Sequence, residues 1–66
     1  TYYNFMRDVK VARISVEDFS GMNSGAKMLF NNCNNLEYII ATCERKCIER
    51  IYIQEDGEIK SYDREL

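Results

Sequence analysis

The chain contains no proline, no histidine and no tryptophan, and only three glycines in 66 residues. Without proline there is no polyproline recognition motif and no proline-stiffened linker. Without histidine the commonest proton shuttle of enzymes is missing. Three cysteines, Cys33, Cys43 and Cys47, cannot all pair within one chain, and none stands in a Cys-x-x-Cys spacing. A secreted disulfide scaffold is therefore not indicated, and reduced thiols fit a cytoplasmic location. No apolar run approaches the roughly 18 residues of a membrane span. No signal peptide is visible, and the opening at Thr1 implies that an initiator methionine or a longer precursor has been removed.

An excess of charge of one sign is also lacking. Nine basic and eleven acidic residues leave a net charge of −2, with both signs mixed along the chain. A general nucleic-acid binder needs a basic footprint, so that partner is disfavoured. A strongly acidic DNA mimic is disfavoured equally. What remains is 45% hydrophobic and 30% charged, enough for one compact domain spanning residues 1–66. A core of that size supplies roughly 3–5 kcal/mol.

The segment Thr1–Met6, TYYNFM, is an aromatic leader suited to docking on the core edge or on a partner. Residues 10–16, KVARISV, alternate in the period of a strand. Residues 18–24 read as a turn or loop, because Gly21 and Gly25 oppose a helix there. From Ser24, a plausible N-cap, the residues Ala26, Leu29, Phe30 and Cys33 follow one helical stripe, ended by the asparagine-rich run at 31–35. Leu36, Ile39, Ile40, Cys43 and Cys47 then share a second helical face. The preferred reading is a helix over 36–47, with Asn34 and Glu37 as a capping pair. The rival is a strand from Leu36 to Thr42, favoured by the β-propensity of Tyr38, Ile39, Ile40 and Thr42.

Residues 48–62 read as a β-hairpin. A two-residue Asp56-Gly57 turn would oppose Ile53 to Lys60 and mix apolar with charged residues on both faces. A three-residue Glu55-Asp56-Gly57 loop would oppose Ile53 to Ile59. It places Ile51, Ile53, Ile59 and Ser61 inward and is preferred on that pattern. Its outward face would then carry Arg50, Tyr52, Gln54, Glu58, Lys60 and Tyr62. Arg50 opposite Tyr62 and Lys60 beside Tyr52 would either brace the hairpin or form a partner-binding surface. The charged ending at residues 63–66 is expected to fray, being only loosely similar to an endoplasmic-reticulum retention tail.

These elements imply an α+β fold. A small antiparallel sheet, built from the N-terminal strand and the C-terminal hairpin, would be covered on one face by one or two helices. The expected core is Ile14, Val16, Leu29, Phe30, Leu36, Ile39, Ile40, Cys43, Cys47, Ile51, Ile53 and Ile59. The thiols are expected to be core residues rather than metal or redox groups. The acids Glu55, Asp56 and Glu58 sit at a solvated turn, which cannot separate the pKa values of a catalytic pair. Gly21-Met-Asn-Ser-Gly25 lacks the lysine of a phosphate loop. No enzymatic activity, cofactor or metal is expected.

The leading expectation is a non-catalytic protein-interaction module: a small regulatory or inhibitory protein, of a size found among phage- and mobile-element-encoded inhibitors, that binds a larger protein. A homodimer formed through an edge strand or through TYYNFM would reinforce so small a core. The alternative is a single-stranded nucleic-acid binder using the hairpin tyrosines. Finally, Leu29-Phe30-Asn-Asn-Cys33-Asn-Asn-Leu36-Glu-Tyr-Ile39 resembles the phrase F-x-x-C-x-x-L-x-x-I of leucine-rich repeats in bacterial surface proteins. Val11, Ile14, Val16 and Phe19 loosely resemble the preceding repeat strand. The resemblance covers about half the chain and one repeat, and implies a fragment of such a surface protein.

Overall fold

The computed structural model describes residues 8–66. The aromatic leader Thr1–Met6 lies outside the described residues. The architecture is α+β: a four-stranded mixed sheet with one helix packed against it. In chain order the elements are β1 (Val11–Ser15), α1 (Met22–Asn32), β2 (Tyr38–Cys43), a short 3₁₀ turn (Glu44–Lys46), β3 (Ile48–Glu55) and β4 (Glu58–Glu65). The strands lie side by side in sequence order. β1 and β2 run parallel, whereas β2, β3 and β4 form two successive antiparallel hairpins.

A parallel pair cannot be joined by a tight turn, so α1 serves as the crossover. It begins three residues earlier than an N-cap at Ser24 implies. Gly21 occupies the N-cap position at φ 70°, with no side-chain cap, and neither terminal turn carries a complementary charge. The helix is therefore held by packing rather than by its ends. Ala26 and Phe30 face the sheet, and Cys33 and Leu36 continue the same buried stripe beyond the last turn. The core also takes Ala12, Ile39, Ala41 and Tyr52. Asp18 accepts the Ser20 backbone N–H at 2.9 Å, bending the loop between β1 and α1. That bond is the first reason its carboxyl lies below the usual carboxylate range.

Residues 36–47 do not form a helix. Tyr38–Cys43 is a central strand, with β1 on one side and β3 on the other. Ile39 and Ile40 are both buried although they point to opposite faces of the sheet. A strand that carries apolar, shielded side chains on both faces reads as a continuous apolar run, which can match a helical stripe by accident. The β-propensity of this stretch decided the outcome. With the helix gone, Asn34 and Glu37 are not its cap; the Glu37 N–H instead donates to the Lys10 carbonyl at 2.7 Å. Cys47 leaves the core as well, standing exposed at φ 54° where the chain turns back into β3.

The β3–β4 hairpin uses the two-residue turn. Asp56 and Gly57 have φ of 53° and 80°, both in the left-handed region that this turn requires. Ile53 accordingly faces Lys60, and Gln54 faces Ile59. The three-residue loop rests on the premise of one dry face and one wet face. That premise fails because β3 is an interior strand with partly shielded residues on both faces. Turn geometry then fixes the register. The C-terminus does not fray: β4 runs to Glu65, and the Leu66 N–H donates to the Cys47 carbonyl at 3.1 Å.

Candidate functional site

Strand alternation and the pairing registers define both faces of the sheet residue by residue. Under α1 lie the rows Ala12–Ile39–Tyr52–Ser61 and Ile14–Ala41–Arg50–Asp63. The opposite face carries the rows Val11–Tyr38–Ile53–Lys60, Arg13–Ile40–Ile51–Tyr62 and Ser15–Thr42–Glu49–Arg64. No helix among the described residues packs on this second face.

The six expected surface residues are thereby divided. Arg50, Tyr52 and Gln54 belong to the α1 side, whereas Glu58, Lys60 and Tyr62 belong to the open side. Tyr52 is a core residue at 1% exposure, and Tyr62 is a surface residue at 57%. The expected pairs of Arg50 with Tyr62 and of Lys60 with Tyr52 do not form. Ile51 and Ile53 lie half-buried on the open face, while Ile59 and Ser61 occupy the α1 side. Sequence reasoning passed over Arg13, Tyr38, Ile51 and Ile53 as surface candidates. The Asp-Gly dipeptide was the signal that could have found the last two, because it alone sets their register.

Arg50 has a structural task. Its Nε and one terminal nitrogen donate to the two carboxylate oxygens of Asp63 at 2.5 and 3.0 Å. Its guanidinium carbon also lies 4.1 Å from the centre of the Phe19 ring. The Asp63 bond first, then a contact with Tyr52, holds the Arg50 pKa above its ordinary value. Asp63 is correspondingly held below the usual carboxylate range by Arg50.

The middle of the open face is apolar and its rim is charged. Ile40 is buried, Tyr38, Ile51 and Ile53 are half-buried, and Val11 and Tyr62 extend the patch to the two edge strands. Two basic residues on this face are neutralised locally. Lys60 donates to Glu55 at 2.7 Å, which raises the lysine pKa, and Arg64 donates through Nε to Glu49 at 2.8 Å. Among the described residues Arg13 forms no ion pair.

A shallow open hollow of about 610 Å³ lies at the ends of β1 and β2, lined by Ser15, Val16, Glu17, Thr42, Glu44 and Arg45. Its acids, Glu17 and Glu44, are exposed. Cys33 and Cys43 are buried, and the Cys43 thiol donates to the Glu17 carbonyl at 3.3 Å. Among the described residues no group of three or more ligating side chains is placed to hold a metal ion. No helix among them is long and apolar enough to cross a membrane.

No family model matches the chain, and neither a curated protein nor a solved structure matches it.

Proposed function

We propose that this protein is a non-catalytic interaction module, a small regulatory or inhibitory protein that binds a larger protein through the open face of its sheet. One observation carries the reading: a half-exposed apolar centre of Tyr38, Ile51 and Ile53, seated around the buried Ile40, is framed by Arg13, Tyr62 and two ion pairs, with no helix among the described residues over it. A dry centre inside a polar rim is the anatomy of a protein-binding surface. The partner it suits offers an apolar patch with an acid placed to meet Arg13. Local neutralisation of Lys60 and Arg64 weakens the case for nucleic acid, since phosphate contacts draw on free positive charge.

The test is capture of binding proteins by the wild type and by Arg13→Glu/Tyr62→Ser, followed by affinity measurement with the purified captured protein. Both substitutions fall on exposed positions and are expected to leave the fold intact. Loss of the captured protein by the double variant alone supports the reading. Equal binding by both proteins refutes it.

A second reading is favoured by a different observation. Phe30, Cys33, Leu36 and Ile39, the four positions of the leucine-rich-repeat phrase, are all buried in one cluster. They lie within a strand–helix–strand unit whose strands run parallel. A terminal unit of a repeat array would look like this, with β1 open to a preceding strand and the hairpins as its cap. Cooperative melting of the isolated chain argues for a free-standing module. An unfolded chain that folds when joined behind such repeats argues for the array.

A further inference from the structure

Among the described residues β4 is an edge strand of eight residues, with β3 on one side of it and no strand on the other. The direction of its free backbone groups follows from the turn. A two-residue loop makes Glu55 and Glu58 a hydrogen-bonded pair. Alternation then makes Ile53–Lys60, Ile51–Tyr62 and Glu49–Arg64 hydrogen-bonded as well. The bond from the Leu66 N–H to the Cys47 carbonyl falls on the same alternation. Consequently the backbone N–H and C=O groups of Ile59, Ser61 and Asp63 point away from β3, toward the edge that no strand among the described residues covers.

We infer that β4 pairs antiparallel with β4 of a second copy about a two-fold axis at Ser61, doubling the sheet. Charged residues on an edge strand usually guard it against pairing. Here they guard selectively. An arrangement centred on Lys60 sets lysine against lysine. One centred on Tyr62 sets Lys60 against Arg64 twice. Centring on Ser61 sets Glu58 against Arg64 and Lys60 against Tyr62, each pair occurring twice by symmetry. Glu58 forms no ion pair among the described residues, and Arg64 has donors beyond those given to Glu49. On the α1 side Ile59 meets Asp63, whose charge Arg50 already holds. Both helices then lie on one side and both open faces on the other. The contact uses the edge rather than the face, so it stands or falls separately from the proposed function.

The experiment is sedimentation equilibrium over a concentration series, with melting curves for every variant. Ser61→Pro removes an N–H that β3 does not use, so the monomer fold is expected to survive. Wild type is expected to dissociate from dimer to monomer on dilution, and Ser61→Pro to lose the dimer at concentrations where wild type forms it. Glu58→Arg alone and Arg64→Glu alone each oppose like charges and are expected to be monomeric. An equimolar mixture of these two variants restores opposite charges and is expected to form dimers with one copy of each. A wild type that is monomeric throughout overturns the inference. So does a dimer that persists in Ser61→Pro and in both single variants. Folded single variants that fail to associate when mixed overturn the register.

Discussion

The guanidinium carbon of Arg50, on β3, sits 4.1 Å from the centre of the Phe19 ring, in the loop that leads to α1. The same side chain grips Asp63 on β4. One arginine thus ties the crossover loop to two strands of the hairpin. A stacked cation of this kind contributes about 0.5–1 kcal/mol at an exposed site and more where water is excluded. In a double-mutant cycle of Arg50→Met with Phe19→Leu, a coupling of about 0.5–1 kcal/mol is expected from urea unfolding. Additive effects would show that the contact contributes nothing.

The acid limb of stability depends on the same cluster. Asp63 is held below the usual carboxylate range by Arg50, and Asp18 is lowered chiefly by the Ser20 backbone N–H. Both carboxyls bind protons less readily in the folded chain than in the unfolded one. Their contribution is fully present above about pH 4 and is lost as pH falls through the lowered values. Urea midpoints measured from neutral pH downward are expected to fall less steeply in Asp63→Asn/Asp18→Asn than in wild type. Parallel acid limbs would contradict these assignments.

The two hairpin tyrosines should behave oppositely. Tyr52 is enclosed among Ile39, Ala12 and the helix residues, so Tyr52→Ala is expected to cost about 3–5 kcal/mol. That approaches the whole stability of a domain this small, and the variant should be unfolded or nearly so by circular dichroism. Tyr62→Ser, on an exposed position, is expected to change stability by about 0.5 kcal/mol or less. Equal effects would mean that the register is wrong.

The glycines make a matching contrast. Gly25 lies inside α1, and an added methyl group would meet nothing within 4 Å. Gly25→Ala is therefore expected to raise stability by about 0.5–1 kcal/mol. Gly57 holds φ of 80° in the β3–β4 turn. Gly57→Ala is expected to lower stability by about 1 kcal/mol or more. Thermal melts of the two variants check both signs at once.

The contrast between these residues also marks where the sequence was legible. Alternation in KVARISV and the stripe from Ala26 to Cys33 located β1 and α1, because each element presents one dry face. β2 was misread because it carries a buried isoleucine on each face, which erases the period that distinguishes strand from helix. The hairpin was located correctly, yet its faces were exchanged. Face sorting gave the wrong register for a strand shielded on both sides, while Asp56-Gly57 carried the right one in its backbone preference. Arg50 and Tyr52 consequently moved from the expected binding surface into the interior side. The open face was illegible as a unit because β1 and β2 assemble half of it from positions distant in sequence.

The most direct test of the interaction-module reading is the affinity of a purified captured protein for wild type, Arg13→Glu/Tyr62→Ser and Lys27→Glu. Lys27 is exposed on α1, on the other side of the sheet. At least about a tenfold loss of affinity, about 1.4 kcal/mol, is expected for the open-face variant. No change is expected for Lys27→Glu. Loss of binding in Lys27→Glu with full affinity in the open-face variant would contradict the reading.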